Sequence, residues 1–243
     1  MLHGAESDVF DLRFALPSEC ADQLASGEAD IGIVPVIEMA RQHLDYFPGT
    51  GIACHGPVRS ILLVSKVPIR EIKTLATDSG SRTSVMLSRV ILAGKFGVKP
   101  QFISRRAELA SMLGEADAAL LIGDAALRVD PAALPFETLD LGGEWTAMTG
   151  LPMVFAVWAG RSGIIQERYT RAFTDSARFG LASMDEIVRG ESAGRGFEAA
   201  LVREYLTRHI VFELGERDYL GLETFLQHAA RFENIAVPGG VRS

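Results

Sequence analysis

Small polar side chains are concentrated at residues 78–84, where the sequence reads Asp-Ser-Gly-Ser-Arg-Thr-Ser. The run joins a stretch typical of a strand to one with helical periodicity. The first N–H groups of a helix lack partners within it, and the helix dipole adds partial positive charge there. With the hydroxyls of Ser81, Thr83 and Ser84 and the guanidinium of Arg82, this start is predicted to bind a carboxylate or phosphate. An ordinary helix cap with a solvated arginine is the alternative.

A second candidate lies at residues 54–60, where Gly56 and Pro57 predict a tight turn between two strands. The turn Gly56-Pro57-Val58 is a candidate for substrate binding, and His55 or Arg59 beside it could also contact a ligand. The alternative is a structural turn with a surface histidine.

Two more segments follow or precede apolar strands. Gly123 and Asp124 come directly after a predicted strand, where open α/β sheets bind ligands, although Asp124 could simply cap the next helix. Thr149 and Gly150 precede another strand and could offer a hydroxyl and a close backbone approach. For that pair, an ordinary loop is the favoured interpretation.

Composition and absent motifs exclude several function classes. The formal net charge of −7 argues against a nucleic-acid partner, and the apolar runs are too short to cross a membrane. The sequence contains no P-loop, no dinucleotide fingerprint and no metalloprotease motif, and its five histidines lack metal-ligand spacing, so no metal site is predicted. The two cysteines and the absence of a signal-like N-terminus predict a cytoplasmic protein.

Short apolar runs alternate with amphipathic ones along the first two thirds of the chain, and the last third is helical. This order predicts an α/β protein with a mostly parallel sheet. If the strands at 58–65 and 153–158 pair, the segment between them is inserted, giving two lobes with a cleft. The predicted lobes are 1–70 with 142–243, and 71–141. Strands are expected at 11–16, 31–34, 51–54, 58–65, 74–77, 101–103, 118–122, 136–141 and 153–158.

Taken together, these segments resemble the MqnA/MqnD family of menaquinone biosynthesis. The likeness covers nearly the whole chain and is carried by Gly-Glu-Ala-Asp-Ile-Gly-Ile-Val-Pro at 27–35, Gly-Pro-Val-Arg-Ser-Ile-Leu-Leu-Val at 56–64, Ser-Arg-Thr-Ser at 81–84, Leu-Ile-Gly-Asp-Ala-Ala-Leu at 121–127 and Thr-Gly-Leu-Pro-Met-Val-Phe at 149–155. The resemblance implies the two-lobed type II fold of periplasmic binding proteins, with no metal or organic cofactor.

Within the family, these segments favour the chorismate dehydratase branch. That branch implies a small dicarboxylate substrate, chorismate, which loses water to give 3-[(1-carboxyvinyl)oxy]benzoate; neither nucleic acid nor a membrane is implied, and a homodimer is allowed. Ser81 or Ser84 is then expected to hydrogen-bond the departing hydroxyl. Asp124 and, less well, His55 are candidate proton acceptors, unless a substrate carboxylate takes the proton. A non-catalytic solute-binding clamshell and the family's naphthoate-synthase branch are the alternatives.

The beginning of the sequence departs from the family pattern. Family members usually start with a strand and a Ser-Tyr-Leu-Asn-like turn, which supply a central strand of the first lobe and a substrate-site asparagine. This chain starts at Met1-Leu2-His3-Gly4, which matches the family after that turn. Either the start of the sequence is mis-assigned or the chain is truncated. A truncated form would lack this strand and one substrate contact, and it is expected to have poor stability and weak activity.

Overall fold

The computed structural model describes residues 9–78, 80–235 and 237. The described residues exclude 1–8, on which the expectation about the family's first strand falls. They also exclude Ser79 of the polar run. Nine strands form two sheets in the described part, with the orders β1-β8-β2-β9 and β5-β4-β6-β3-β7. They are β1 (Ile31–Pro35), β2 (Asp45–Cys54), β3 (Ile61–Ser65), β4 (Thr74–Thr77), β5 (Gln101–Ser104), β6 (Ala118–Ile122), β7 (Glu137–Asp140), β8 (Met153–Gly160) and β9 (Val211–Glu213).

Helices cover these sheets and form most of the last third of the described chain. They are α1 (Pro17–Ser26), α2 (Val36–Arg41), α3 (Arg82–Ile91), α4 (Leu109–Glu115), α5 (Asp124–Leu127), α6 (Leu141–Thr149), α7 (Glu167–Ala182), α8 (Met184–Arg195), α9 (Ala199–Glu204) and α10 (Glu216–Ala229). A π-helical turn, Leu92–Phe96, extends α3.

The boundaries of α1 show how local sequence sets an element. Pro17 occupies the first turn, where its missing N–H costs nothing, and Gly27 ends the helix with a left-handed φ of 82°. Leu16 is the N-cap residue, and its backbone N–H donates to the Glu19 carboxylate at 2.9 Å.

The predicted strand at 11–16 is wrong. Residues 10–16 carry no regular structure, with the side chains of Phe14 and Leu16 mostly exposed. The alternation of apolar residues gives the segment a suitable face, but a strand also needs a neighbouring backbone for its hydrogen bonds. The described residues place no strand beside it.

The expected parallel sheet and the expected pairing of 58–65 with 153–158 are also wrong. Among the strands of the described residues, β4–β5 and β4–β6 pair in parallel, whereas the other five pairings are antiparallel. Strand β3 lies between β6 and β7 in the second sheet, and β8 lies between β1 and β2 in the first. We therefore propose that the second lobe starts with β3 and ends with β7, in place of the expected 71–141.

A single buried cluster connects the two sheets. It includes Val34 and Val157 from the first sheet, Leu63 and Leu120 from the second, and Leu87 of α3. Helix α3 packs against α2, α6 and α10 and reaches strands of both sheets. The polar run at the start of α3 is therefore fixed by the main core of the protein.

Candidate functional site

The first turn of α3 has an unusual arrangement of hydroxyls. Ser81 is the N-cap residue, yet its side chain does not bond to a backbone N–H of the helix. Its Oγ lies 2.8 Å from the Oγ of Ser84, and the Ser84 side chain is buried. The cap hydroxyl is thus paired with a second hydroxyl and leaves the first N–H groups of α3 without a side-chain cap.

Thr83 anchors this turn to helix α2. Thr83 is buried, and its Oγ1 accepts a long hydrogen bond of 3.5 Å from the backbone N–H of Ile37. Ile37 lies at the start of α2, directly after β1. The predicted role of Thr83 in substrate binding therefore stays a prediction, since the structure gives its hydroxyl a partner in the protein.

Arg82 is engaged by two carboxylates. Its Nη2 donates to both oxygens of Asp22 at 2.9 and 2.8 Å, and its Nη1 lies 3.1 Å from the buried Glu38. Burial lowers the pKa of Arg82, but the hydrogen bond to Asp22 and the charge of Glu38 raise it more. The guanidinium thus ties α3 to α1 and α2, and binding a substrate carboxylate would require it to exchange one of these partners.

The turn Gly56-Pro57-Val58 is held by a residue that sequence reasoning missed. The Asp140 carboxylate accepts hydrogen bonds from the backbone N–H groups of Val58 (2.9 Å) and Arg59 (2.6 Å), and it caps α6 through Gly143 (2.9 Å). An aspartate directly before a helix is a cap signal, but the 82-residue separation from Val58 hides its second role. The turn therefore lies where the chain passes from β2 to the second sheet.

Arg59 and the loop after β6 form a connected group with this turn. Arg59 has a left-handed φ of 65°, and its guanidinium donates to the carbonyls of Ala126 (3.2 Å) and Val129 (2.7 Å). The N–H of Gly123 donates to the Ser60 carbonyl at 2.8 Å. The structure thus links Arg59 and Ser60, which follow the turn Gly56-Pro57-Val58, to Gly123 and the end of α5. A shared role of the turn and Asp124 in substrate binding stays a prediction.

Asp124 and Tyr205 give this group its polar character. The Asp124 Oδ2 lies 3.1 Å from Arg195 Nη1, and the Tyr205 hydroxyl donates to Ser60 Oγ at 3.0 Å. Burial raises the pKa of Tyr205, and the nearby Asp124 charge adds to this effect, although the Ser60 hydrogen bond opposes it. Sequence reasoning missed Tyr205, and no local signal could find it because Ser60 is 145 residues away.

His55 and the pair Thr149–Gly150 lie in other surroundings. His55 Nε2 is 2.8 Å from the buried Asp218 at the start of α10. The Thr149 hydroxyl donates to the Trp145 carbonyl at 2.9 Å and accepts from the Leu151 N–H at 3.1 Å, while Gly150 takes a left-handed φ of 72° that ends α6. The hydrogen bonds of Thr149 stabilise the end of α6. A role of Thr149 and Gly150 in substrate binding therefore stays a prediction.

Within the described ranges, no hydrogen bond joins the Ser81–Ser84 group to the Gly56–Asp124 group or to Thr149. A cavity of about 620 Å³ lies elsewhere, between residues 9–15, α1, β1 and α7, and none of the predicted site residues lines it. In the same described part of the chain, no group of three His, Cys, Asp or Glu side chains is placed to hold a metal ion.

Comparison with known proteins decides the family. A family model described as menaquinone biosynthesis matches residues 1–231. The chain belongs to this family. A relative from Thermus thermophilus, a chorismate dehydratase, is 29% identical over 93% of this chain and 89% of its own length.

Solved structures share the fold at low sequence identity. A protein from Archaeoglobus fulgidus superimposes with a TM-score of 0.68 at 14% identity, over 91% of this chain and 85% of that one. The alkanesulfonate-binding protein SsuA from Xanthomonas axonopodis gives 0.59 at 17% identity, over 93% and 84%. The menaquinone biosynthesis family member therefore has the expected two-lobed α/β fold of the solute-binding proteins. Its described helices include none that is both long and apolar enough to span a bilayer.

Proposed function

We propose that this protein is a chorismate dehydratase, a hydro-lyase that converts chorismate to 3-[(1-carboxyvinyl)oxy]benzoate for menaquinone biosynthesis. The observation that carries the proposal is the near full-length match to a chorismate dehydratase within a menaquinone biosynthesis family. Free thiols at Cys20 and Cys54 are compatible with the reducing cytoplasm, where we place the reaction. A homodimer stays a prediction.

The start of α3 is the proposed carboxylate site. Chorismate carries two carboxylates, and the uncapped N–H groups of the first turn, at the positive end of the helix dipole, are suited to bind one. Because Thr83 and Arg82 tie this turn to α1 and α2, the N–H groups are preorganised before the substrate arrives.

The Ser81–Ser84 pair is proposed to assist loss of the hydroxyl. In the reaction a ring C–H bond breaks, its electron pair enters the ring, and the C4–O bond breaks as hydroxide leaves and takes up a proton. The ring becomes aromatic, which supplies a large driving force. One serine hydroxyl donates a hydrogen bond to the departing oxygen and so stabilises the developing charge. The second serine hydroxyl, 2.8 Å from the first, holds the first in position.

The proton acceptor is the open step. Asp124 has an oxygen 3.1 Å from the Arg195 guanidinium, so it would have to share that ion pair with the substrate. His55 is already hydrogen-bonded to Asp218. We therefore favour a substrate carboxylate as the acceptor, with Asp124 as the second candidate.

The test is incubation of the purified chain with chorismate, followed by mass spectrometry for loss of one water and by ultraviolet spectroscopy for an aromatic product. Conversion supports the dehydratase. Binding of chorismate without any change in its mass would instead support a solute-binding protein. If chorismate is neither bound nor converted and a larger nucleoside derivative is bound, the result would support the naphthoate-synthase branch and overturn the proposal.

A further inference from the structure

The loop that follows β6 leaves the second sheet at the same edge as the polar turn that starts α3. Strands β4 and β6 are parallel neighbours, and Thr77 of β4 is paired with Leu120 of β6. Because the carboxyl ends of parallel neighbours meet at one edge, the two chain segments leave the sheet about 5 Å apart, which is one strand spacing. A ligand bound at the start of α3 is therefore within reach of the loop after β6.

The loop after β6 has little support of its own. Gly123 has a φ of 61°, in the region that favours glycine. Its N–H donates to the Ser60 carbonyl at 2.8 Å, and its carbonyl accepts from the N–H groups of Ala126 and Leu127, both at 3.0 Å. Helix α5 has four residues, Asp124–Leu127, and a helix this short is not stable through its own hydrogen bonds. The position of the loop therefore depends on what contacts α5 and Ser60.

A segment of the C-terminal third, residues 195–209, contacts both ends of α5. We call this segment the brace. The Arg195 guanidinium lies 3.1 Å from the Asp124 carboxylate at the start of α5. Arg128, directly after the end of α5, donates to the Arg195 carbonyl at 2.7 Å, and its guanidinium lies 4.4 Å from the centre of the Phe197 ring. The brace therefore fixes α5 at two points.

The brace also holds the second support of the loop. The Tyr205 hydroxyl donates to Ser60 Oγ at 3.0 Å, and the carbonyl of the same serine accepts the hydrogen bond from Gly123. Tyr205 begins a π-helical turn, Tyr205–His209, and such turns are frequent at functional sites. The chain then continues into β9, which pairs with β2 of the first sheet. The brace therefore connects the loop after β6 to the first sheet.

We propose that the brace positions the substrate site: Arg195 and Tyr205 hold the loop Gly123–Asp124 against a ligand bound at the start of α3. The inference rests on the proposed function, since the ligand is taken to be chorismate. Arg195 and Tyr205 are positioning residues, because they act through Asp124 and Ser60 and do not themselves touch the substrate. The brace also keeps Asp124 in an ion pair, which agrees with a substrate carboxylate as the proton acceptor.

Steady-state kinetics with chorismate test the two contacts of the brace separately. Arg195→Gln removes the ion pair with Asp124, and Tyr205→Phe removes the hydrogen bond to Ser60. We expect each change to raise KM by about fivefold, the size of effect that one exposed ion pair or one hydrogen bond produces. The value of kcat should stay within about twofold, because the polar turn of α3 is unchanged.

Each variant has a matched control. Arg203→Gln breaks an ion pair with Asp185 that joins α9 to α8, and the side chains of Arg195 and Arg203 are similarly exposed, at 55% and 48%. Tyr219→Phe removes a hydroxyl that accepts from the Gly49 N–H at 2.6 Å, far along the chain from the brace. Both controls should retain the KM of the unchanged protein. Arg195→Lys keeps the positive charge and should recover most of the loss caused by Arg195→Gln.

Residue-resolved hydrogen exchange separates positioning of the loop from a general effect on stability. In Arg195→Gln and Tyr205→Phe, the amides of Gly123 and Ala126 should exchange faster by about threefold or more, whereas amides of β8 should be unchanged. Unchanged loop exchange, equal acceleration in β8, or faster loop exchange with an unchanged KM would each overturn the inference. Absence of chorismate conversion by the unchanged protein would instead overturn the proposed dehydratase, and the exchange rates would still decide whether the brace holds the loop.

Discussion

At the scale of single residues, the hydrogen-bond partner of each side chain decides what the start of α3 can do. Ser81 and Ser84 pair with each other, whereas Thr83 and Arg82 of the same turn are used to fix it in place. The residue types correctly predicted a polar helix start. They could not predict the hydrogen-bond partner of each side chain. Asp22 and Glu38, which engage Arg82, are 60 and 44 positions away and carry no local signal.

The serine pair gives the first prediction. Ser81→Ala and Ser84→Ala each remove a hydroxyl proposed to assist the leaving group, so we expect kcat with chorismate to fall by about 100-fold. Ser88→Ala is the matched control, because Ser88 lies on the same helix and donates only to the Val85 carbonyl in the same helix. Its turnover should be unchanged. Full turnover in both Ser81→Ala and Ser84→Ala would exclude the hydroxyl role.

Asp117 gives a prediction about pH. Its Oδ2 accepts from the N–H groups of Lys73 and Thr74, both at 2.9 Å, and from the Thr74 hydroxyl at 3.0 Å. The backbone hydrogen bond from Lys73 is the main cause that lowers its pKa below 3.8. Because the folded state lowers this pKa, the carboxylate stabilises the fold above pH 3.8, and the contribution is lost as pH falls further.

Asp117→Asn should therefore destabilise the protein at pH 7 by about 1 kcal/mol, a figure that allows for solvent screening. Thermal unfolding from pH 7 to pH 3 would show the difference from the unchanged protein shrinking toward the acid end. Asp185→Asn, at an exposed ion pair with Arg203, serves as the control with a small effect. A pH-independent difference for Asp117→Asn would contradict the assigned cause.

At the scale of elements, the pattern of apolar residues predicted most strands but not their neighbours. The bounds of β4 and β6 agree with the prediction, since both are short apolar runs between clear breaks. The segment 11–16 alternates equally well and forms no strand, because pairing depends on a partner. Strand β9 has three residues, Val211–Glu213, and was missed inside a region with helical periodicity. The position of β3 in the second sheet depends on pairings with β6 and β7, which no single segment encodes.

Close packing between the turn at 56–58 and α6 is the basis of the element-scale prediction. A Cβ on Gly142 would lie 2.7 Å from both Cys54 Sγ and the Gly56 carbonyl oxygen. We expect Gly142→Ala to destabilise the protein by roughly 2 kcal/mol or more, since the neighbouring backbone must move. Gly190→Ala in α8 meets nothing within 4 Å and should stabilise by about 0.5–1 kcal/mol. Urea denaturation of both variants measures this, and equal effects would refute the packing argument.

At the scale of the whole molecule, one buried cluster spans both sheets, and α3 lies where they meet. This continuity means that the lobes are expected to unfold together, although the sheets are separate in their hydrogen bonding. The consequence for the proposed function is direct. The helix that carries Ser81 and Ser84 is part of the shared core, so we expect the proposed carboxylate site to form only when both lobes are folded.

Leu87 provides the test of this coupling. It lies fully buried in α3, and Leu87→Ala should cost about 3 kcal/mol through lost burial and the cavity left behind. Because the cluster is continuous, amides of β4 and β6 in the second sheet and of β8 in the first should lose protection by the same amount in hydrogen exchange. Leu134→Ala, near the smaller cluster on the other face of the second sheet, is a control expected to have a smaller effect. If Leu87→Ala lowered protection in only one sheet, the lobes would be independent folding units, and the carboxylate site would depend on that sheet alone.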